Sequence, residues 1–576
     1  MKPINFTGRT AVIAAMAMVG ARFVLAATVT APDGGAQAVA ASSEIALTKP
    51  VFRWLWGGFG FHNSESSMTG IMSDEFRDER VYKTFREISP TYSRVFAGYY
   101  NWTKDAMDRF ADYYDATFRK CKTNVYVVPG RMPVVTSDFD VDKYAEEVAK
   151  RLEYVVNERD CVRLRYYALS NELSVGPTYC WFPQGHWDVY VELSQAIQRA
   201  FARHGLDIGL MGPDSSGYDR MKDVYWALTN VNEQTEVYCW HLYDREHRPG
   251  DPETYERLYT AVTDLVSRCS RREKRLSVGE FGFTGRNAPW GAGVMRDDSH
   301  VGFRDPGSVA ANEAAISRAE MGLAIMNGGA MHGITWTMVD YPDPFLRENG
   351  DTPDEKAIYD VGRFSGAPHT LDIRYNKNGL FRWCEEEHDY SAYPDLYTMG
   401  YLAKLFRKGA RVLPSETADA DLRVGAVTNP DGSCSIAVVN WGPAKTIRVR
   451  SAHRLGKPLR VYEYDSANPP HNDFNDLQPP KGLVTPKDDV FEAAVPARSL
   501  TFFTTDYTDR KPSPVTGVAV KDGRVTWTAC ADADHVYYRV FKDGRQIRST
   551  VATSCLADGT GGCYDVKSVD RWGNVR

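Results

Sequence analysis

Eight short apolar runs punctuate the first 340 residues of the chain, and amphipathic stretches fill the gaps between them. The runs are Phe52–Phe61, Tyr92–Phe96, Thr123–Val128, Arg163–Leu169, Ile208–Met211, Glu236–Leu242, Arg275–Val278 and His332–Met338. Strands this apolar suit a parallel sheet covered by helices, and parallel neighbours need a crossover, usually helical. Lys143–Val156, Asp188–His204, Pro252–Ser270 and Ala310–Met326 supply such helices. In Lys143–Val156, Tyr144, Val148, Leu152, Val155 and Val156 fall at spacings of three and four, which makes a one-sided helix. Leu396, Met399, Leu402 and Leu405 step by three and place a last helix within Asn378–Phe406. The alternation predicts an α/β chain whose residues 46–408 close into a (β/α)8 TIM barrel. An open doubly wound sheet is the rival, but it wants a Gly-rich phosphate turn after the first strand. Gly57-Gly58-Phe59-Gly60 lies inside that strand and lacks the acidic partner.

A chain of 576 residues exceeds one core, so further domains are expected. From Gly409 the pattern changes to short strands, Arg423–Val427, Ser435–Val439, Ile447–Val449, Leu459–Tyr462 and Ser499–Phe503, with turns such as Asn429-Pro430-Asp431-Gly432. Residues 409–508 therefore read as a β-sandwich. Lys511-Pro512-Ser513-Pro514 is a stiff linker into residues 512–576. There Trp527, Tyr537-Tyr538-Arg539-Val540 and Tyr564-Asp565-Val566 resemble the strand markers of a small fibronectin III-like β-sandwich. That resemblance implies a spacer or tether, suited to cell-surface or glycan attachment.

At the other end, Lys2 and Arg9 precede the apolar run Ala11–Val19, and Ala36-Gln37-Ala38 follows. Basic, apolar and small residues in that order predict a secretory signal over 1–38 and an exported protein. Arg22 cuts the run too short for membrane insertion. A net charge of −6 argues against nucleic acid as a partner. Of the ten cysteines, Cys555 and Cys563 could close a small loop, and Cys239, in an apolar run, reads as a buried thiol. No Cys-x-x-Cys or His-x-x-x-His spacing calls for zinc. Asp138-Phe139-Asp140-Val141-Asp142 is no calcium loop, because Lys143 stands where that loop needs glycine. It is an acidic helix start, where carboxylates meet the positive end of the helix dipole.

Two of the apolar runs end in glutamate. Tyr167-Ala168-Leu169-Ser170-Asn171-Glu172 opens into Ser174-Val175-Gly176-Pro177, and Leu276-Ser277-Val278-Gly279-Glu280 continues into Phe281-Gly282. In a parallel barrel, strand ends of this kind form the rim where catalytic groups sit. Two carboxylates facing each other about 5–5.5 Å apart are what retaining glycoside hydrolysis needs, one as proton donor and one as nucleophile. Taken singly, each glutamate reads as a solvated strand end. Asn171 beside one, and Gly279 and Gly282 bracketing the other, favour a shared site.

Asn171-Glu172 ending the fourth strand and Glu280 ending the seventh resemble the signature of clan A glycoside hydrolases. The resemblance implies that Glu172 is the acid/base, Asn171 binds the sugar 2-hydroxyl and Glu280 is the nucleophile, with a carbohydrate substrate and no cofactor. His241-Leu242-Tyr243 resembles the His-x-Tyr of family 5, where the tyrosine bonds the nucleophile. Arg94 matches the clan arginine beside that carboxylate, and Trp336 the aromatic platform of strand eight. A hydroxyl and a guanidinium at Glu280 would keep it ionised, as a nucleophile requires. An acid/base partner needs a site less favourable to its anion. The plainer roles are a barrel-end ion pair for Arg94, a core imidazole for His241 and core packing for Trp336. Leu173 stands where family 5 carries proline, and Val128-Pro129-Gly130-Arg131 lacks the histidine often found there. A barrel followed by a β-sandwich also resembles families 30, 39 and 79. Trp54, Trp56 and His62 flank the end of strand one, and Trp181, Trp187 and Trp290 fall in rim loops. Aromatic faces stack on sugars, so these are expected along the cleft, with Asp340 bonding a hydroxyl. The expected activity is secreted, retaining glycoside hydrolysis. Its competitors are a non-catalytic glycan-binding surface protein on a degenerate barrel and a transglycosylase using the same residues.

Overall fold

The computed structural model describes residues 42–63, 69–96, 102–129, 139–172, 187–244, 248–283, 309–339, 341–343, 374–376, 379–383, 388–559 and 561–576. Strand β1 (Ser43–Leu47) precedes eight parallel strands: β2 (Phe59–His62), β3 (Tyr92–Phe96), β4 (Asn124–Val128), β5 (Leu164–Ala168), β6 (Gly209–Ser216), β7 (Thr235–Asp244), β8 (Arg275–Phe283) and β9 (Gly333–Thr335). Each pairs with the next, and β9 returns to β2 through Gly333–Phe59, Ile334–Gly60 and Thr335–Phe61. The sheet is therefore a closed TIM barrel and not an open doubly wound sheet.

The crossovers are α1 (Tyr82–Ile88), α2 (Lys104–Ala116), α3 (Val141–Glu153), α4 (Trp187–Arg203), α5 (Met221–Asn230), α6 (Pro252–Ser270), α7 (Val309–Asn327) and α8 (Pro394–Leu405). Their starts follow local chemistry. Asp140 accepts from Lys143 N at the head of α3, the acidic helix start expected there, and Asp251 caps α6 just before a proline in the first turn. The one-sided spacing in α3 buries Tyr144, Val148 and Leu152.

Strand one begins later than its apolar run suggests. Residues 52–58 lie outside β2, and Trp56 makes only a bridge to Ala410, below the barrel. Gly57 and Gly58 cause the offset: a Cβ on Gly57 would lie 2.6 Å from Met331 O, and Gly58 has φ +99°. Strands β6 and β8 run further toward the rim than expected, each through a change of register. One lies between Pro213 and Ser215, which leaves Asp214 unpaired, and one opposite Trp240 and His241, which leaves Gly279 unpaired. Such bulges re-aim side chains at barrel rims.

Among later elements, β10 (Tyr341–Asp343) and β11 (Arg374–Asn376) pair antiparallel. A sandwich follows: β12 (Arg411–Leu413), β13 (Ser415–Glu416), β14 (Leu422–Thr428), β15 (Cys434–Asn440), β16 (Lys445–Ser451), β17 (Leu459–Asp465), β18 (Gly482–Val484), β19 (Val490–Val495) and β20 (Ser499–Thr504). Its six-stranded sheet runs β12-β14-β15-β20-β17-β18 and its four-stranded sheet β13-β1-β16-β19. Ser43–Leu47, which overlaps the start of the range 46–408 expected for the barrel, is thus a sandwich strand, pairing parallel with β16. Its alternation explains this: Ile45 and Leu47 point into the sandwich core with Ile436, Val438, Ile447 and Phe503. The large sheet is apolar on both faces because its other side, with Ala437, Val439, Leu500 and Phe502, joins the barrel core.

The last strands, β21 (Ala519–Lys521), β22 (Arg524–Thr526), β23 (His535–Lys542), β24 (Arg545–Thr550), β25 (Ser554–Leu556) and β26 (Tyr564–Asp570), form two three-stranded antiparallel sheets, β21-β22-β25 and β24-β23-β26. Val525, Trp527, Tyr538, Val540, Cys555 and Val566 fill the space between them. Cys555 and Cys563 do not pair: the first is buried among these side chains and the second is exposed, and all eight described cysteines are free thiols.

This module is docked to the barrel. Lys83, on α1 and fully buried, reaches Glu87 at 2.7 Å and Asp476 of the sandwich at 2.8 Å. Tyr537 of the module donates to Glu87, and Arg539 stands 3.0 Å from Asp476. Among the described residues no helix is long and apolar enough to cross a membrane.

Candidate active site

The C-terminal ends of the barrel strands bring six of the expected residues into one polar cluster. Glu172 follows β5 with φ +47°, a left-handed conformation uncommon for a residue with a Cβ and frequent at functional sites. Glu280 is 4% exposed, and side chains from two other strands reach it. Arg94 of β3 comes within 2.5 Å of Oε1, and Tyr243 of β7 donates to Oε2 at 2.6 Å. His241 of β7 places Nδ1 3.1 Å from Glu172 Oε1 and 3.6 Å from Glu280 Oε2. Facing oxygens of the two glutamates and this nitrogen all lie within 4.8 Å of one another.

Arg94 is fully buried and divides its guanidinium among four partners. Besides Glu280 it meets Asn171 Oδ1 at 2.5 Å, Asp214 Oδ2 at 2.8 Å and His62 Nδ1 at 3.2 Å. Arginine only donates, so Asn171 meets it through its amide oxygen. Likewise His62 must accept at Nδ1. Burial, with Arg94 and His241 beside it, holds His62 well below the usual imidazole range, so it is the neutral partner this contact requires.

His241 is the opposite case. Burial alone would lower it, but the Asp214 and Glu280 carboxylates outweigh burial and hold it well above its ordinary value. Its charged form is favoured, with Nδ1 hydrogen-bonded to Glu172 and Nε2 3.1 Å from Asp214 Oδ1. Glu280 itself is raised by burial, against the pull of Arg94 and His241. Arg94, His241 and Tyr243 thus hold the Glu280 carboxyl group in one orientation. Tyr243, raised well above the usual phenol range by burial and by Glu280, stays a donor.

Asp214 was not foreseen. It is fully buried in the β6 bulge with φ +59°, Oδ2 on Arg94 and Oδ1 3.1 Å from His241 Nε2. The signal lay in Gly212-Pro213-Asp214, a turn-like triplet in which aspartate tolerates positive φ. Cys239, the buried thiol expected, is pushed up to about 12 by burial and donates to Asp214 Oδ1 at 2.8 Å. Tyr126 donates to Gly279 O at 3.1 Å and so fixes the β8 bulge under Glu280.

His62 and Trp336 flank the cluster, their rings stacked 4.3 Å apart, with Phe96 edge-on to both. Trp54 and Trp56 do not join them. Both precede β2 and sit at the other end of the barrel, Trp54 under Arg53 and Arg275, the first residue of β8, and Trp56 against Phe59. The longer strand assumed for this region had carried them to the rim. Trp187 packs on Trp226 at the head of α4. Trp181, Trp290 and Asp340 lie outside the described residues.

Two trios offer donor atoms at metal-like spacing, Asp214–Cys239–His241 and Glu172–His241–Glu280. Both draw on His241, whose nitrogens each face a carboxylate, Glu172 on one side and Asp214 on the other.

No family model matches the chain, and no curated protein matches it in sequence. Solved structures do resemble it. A family 30 endoxylanase from Clostridium papyrosolvens is 15% identical, with a TM-score of 0.52 over 80% of this chain and 99% of that one. An endo-β1,6-glucanase is 13% identical, with a TM-score of 0.53 over 80% and 93%. A family 51 α-L-arabinofuranosidase from Bifidobacterium longum is 13% identical, with a TM-score of 0.52 over 80% and 99%. These likenesses establish the fold, a TIM barrel with an attached β-sandwich.

Proposed function

We propose that this chain is a retaining O-glycoside hydrolase. The observation that carries the reading is the approach of Glu172 and Glu280, with facing oxygens within 4.8 Å. Retaining enzymes hold their two carboxyl groups about 5–5.5 Å apart, whereas inverting ones leave about 6.5–9.5 Å for a water. The resemblance of Asn171-Glu172 and Glu280 to the clan A signature, and the glycosidase fold of the structural neighbours, support the same reading.

In the first step a Glu280 oxygen attacks the anomeric carbon while Glu172 gives its proton to the departing glycosidic oxygen. The C–O bond breaks and a glycosyl ester forms on Glu280. In the second step water attacks the same carbon, Glu172 takes its proton, and the ester bond breaks to free Glu280. Arg94 and Tyr243 hold Glu280 in line, and the Asn171 amide meets the sugar 2-hydroxyl. Trp336, backed by His62, offers a ring face to the sugar. Residues 1–38 would export the enzyme, and the C-terminal module, with its fibronectin-like strand markers, would serve attachment.

The test is a screen of aryl glycosides and polysaccharides, followed by Glu280→Ala and Glu172→Ala on whatever is cleaved. Each substitution is expected to abolish most turnover, with azide restoring activity in one or both. NMR of the first product should show retained anomeric configuration. Wild-type rates in either variant, or an inverted product, would overturn the proposal.

A further inference from the structure

The two glutamates are far apart in sequence and carried by different strands, yet the groups that hold them share one side chain. Asp214 Oδ2 lies 2.8 Å from Arg94, which grips Glu280, and Asp214 Oδ1 lies 3.1 Å from His241, which faces Glu172. The backbone is bent to make this happen. Asp214 is the unpaired residue of the β6 bulge, next to which Pro213 and Ser215 keep their pairing with β7. Without the bulge, the strand's alternation would turn residue 214 to the other face. A fully buried carboxylate is costly unless its oxygens are satisfied, and here Arg94 donates to Oδ2 and Cys239 to Oδ1, with His241 Nε2 3.1 Å away.

We propose that Asp214 is a positioning residue for the reaction: a single fixed anion that sets Arg94 against Glu280 and orients His241, as its doubly protonated form, against Glu172. The proposal rests on the glycosidase reading and adds to it a residue that never touches the sugar. It also accounts for charge. The cluster holds three carboxylates, Glu172, Asp214 and Glu280, and its cations are Arg94 and the His241 imidazolium. His62 stays neutral, and Tyr126, Tyr243 and Cys239 contribute donors without charge. With Asp214 ionised, two cations face three carboxyl groups. In the glycosidase reading Glu172 gives up a proton in the first chemical step. When that proton has gone to the leaving group, the new Glu172 carboxylate is left beside the His241 N–H.

The decisive variant is Asp214→Asn, which keeps the shape and removes the charge. His241 should then lose its second proton at working pH and Arg94 one anchor. On a cleaved aryl glycoside, kcat/KM should fall about 10²-fold, as for a misplacement of order 1 Å at the reacting groups. The acidic limb of its pH profile should move upward, because Glu280 loses one of the two cations that favour its anion. The second measurement needs neither substrate nor the variant. Nitrogen-15 NMR of the histidine rings in the wild-type protein, assigned with His241→Gln, should show both His241 nitrogens protonated at pH 7. A neutral His241 ring at pH 7, or a folded Asp214→Asn enzyme with wild-type kcat/KM and an unmoved limb, would overturn the proposal. Because the ring spectrum is read without any sugar, its failure is distinct from a failure to find a hydrolysed substrate.

Discussion

Tyr243 offers the cleanest measure of how much the cluster contributes to the nucleophile. Its hydroxyl donates to Glu280 Oε2 at 2.6 Å, a short charge-assisted bond inside a site from which water is largely excluded. Tyr243→Phe keeps the ring and removes only that donor. Hydrogen bonds to charged groups contribute about 1.5–3 kcal/mol, and each 1.4 kcal/mol is a factor of ten. The variant should therefore lose about 10–100-fold in kcat/KM toward an activated aryl glycoside. A second signature follows from the sign of the perturbation. Burial already raises Glu280, and the Tyr243 bond pulls it down. Removing the bond lets the carboxyl rise further, so activity is lost at a higher pH as the solution is acidified, and the acidic limb of kcat/KM shifts upward. Initial rates across pH 4–8 measure both effects. A variant within twofold of wild type with an unmoved limb would refute the idea that this bond holds the attacking carboxylate.

Two further substitutions probe the frame. Gly279→Ala would put a Cβ 2.4 Å from Cys239 Sγ and 2.8 Å from the Tyr126 hydroxyl, so the β8 bulge must shift and carry Glu280 with it. A stability loss of about 1–3 kcal/mol by urea titration, with a larger proportional loss of activity, is expected, and an unaffected enzyme would show the bulge to be slack. Lys83→Met leaves Glu87 and Asp476 buried without their shared cation, a change that costs about 3–5 kcal/mol when one partner of a buried pair is removed. The urea midpoint should drop, and an unchanged midpoint would contradict the role given to the junction. Burial alone would raise Asp476, but Lys83 and Arg539 overcome it and hold the carboxyl below its ordinary value. Its contribution is thus present above about pH 4, where the unfolded side chain is ionised, and is lost as pH falls further. Lys83→Met should flatten that acid dependence, and an unaltered slope between pH 4 and 2 would argue against it.

The barrel was legible because its strands are apolar enough to be buried on both faces and its helices are one-sided; each of the eight strands overlaps one of the apolar runs, though their ends differ. Glu172 and Glu280 were legible because a carboxylate closing such an apolar run must either reach solvent or serve a polar site at the rim. The sequence was less informative wherever the strand period breaks. Asp214 sits in a bulge, and no alternation rule points a bulged residue inward. Trp54 and Trp56 were misplaced for the same reason, since Gly57 and Gly58 end the irregular segment where apolar content alone continues the strand. In β1 the hydrophobic signal is two residues, Ile45 and Leu47, and its partner strand is too distant to be inferred from local pattern.

That partner is worth following through the order of synthesis. Ser43 lies beside Ile447, so β1 leaves the ribosome 404 residues before the strand it joins. At about 5–20 residues per second, it waits about 20–80 s while the whole barrel is made. During that interval Ile45 and Leu47 have no sheet to enter, and before β16 the only strand made that pairs with β1 is the two-residue β13. Shortened versions of this protein that stop after the barrel should therefore begin after Leu47 as well, or they carry a sticky ribbon that the full-length chain folds away last.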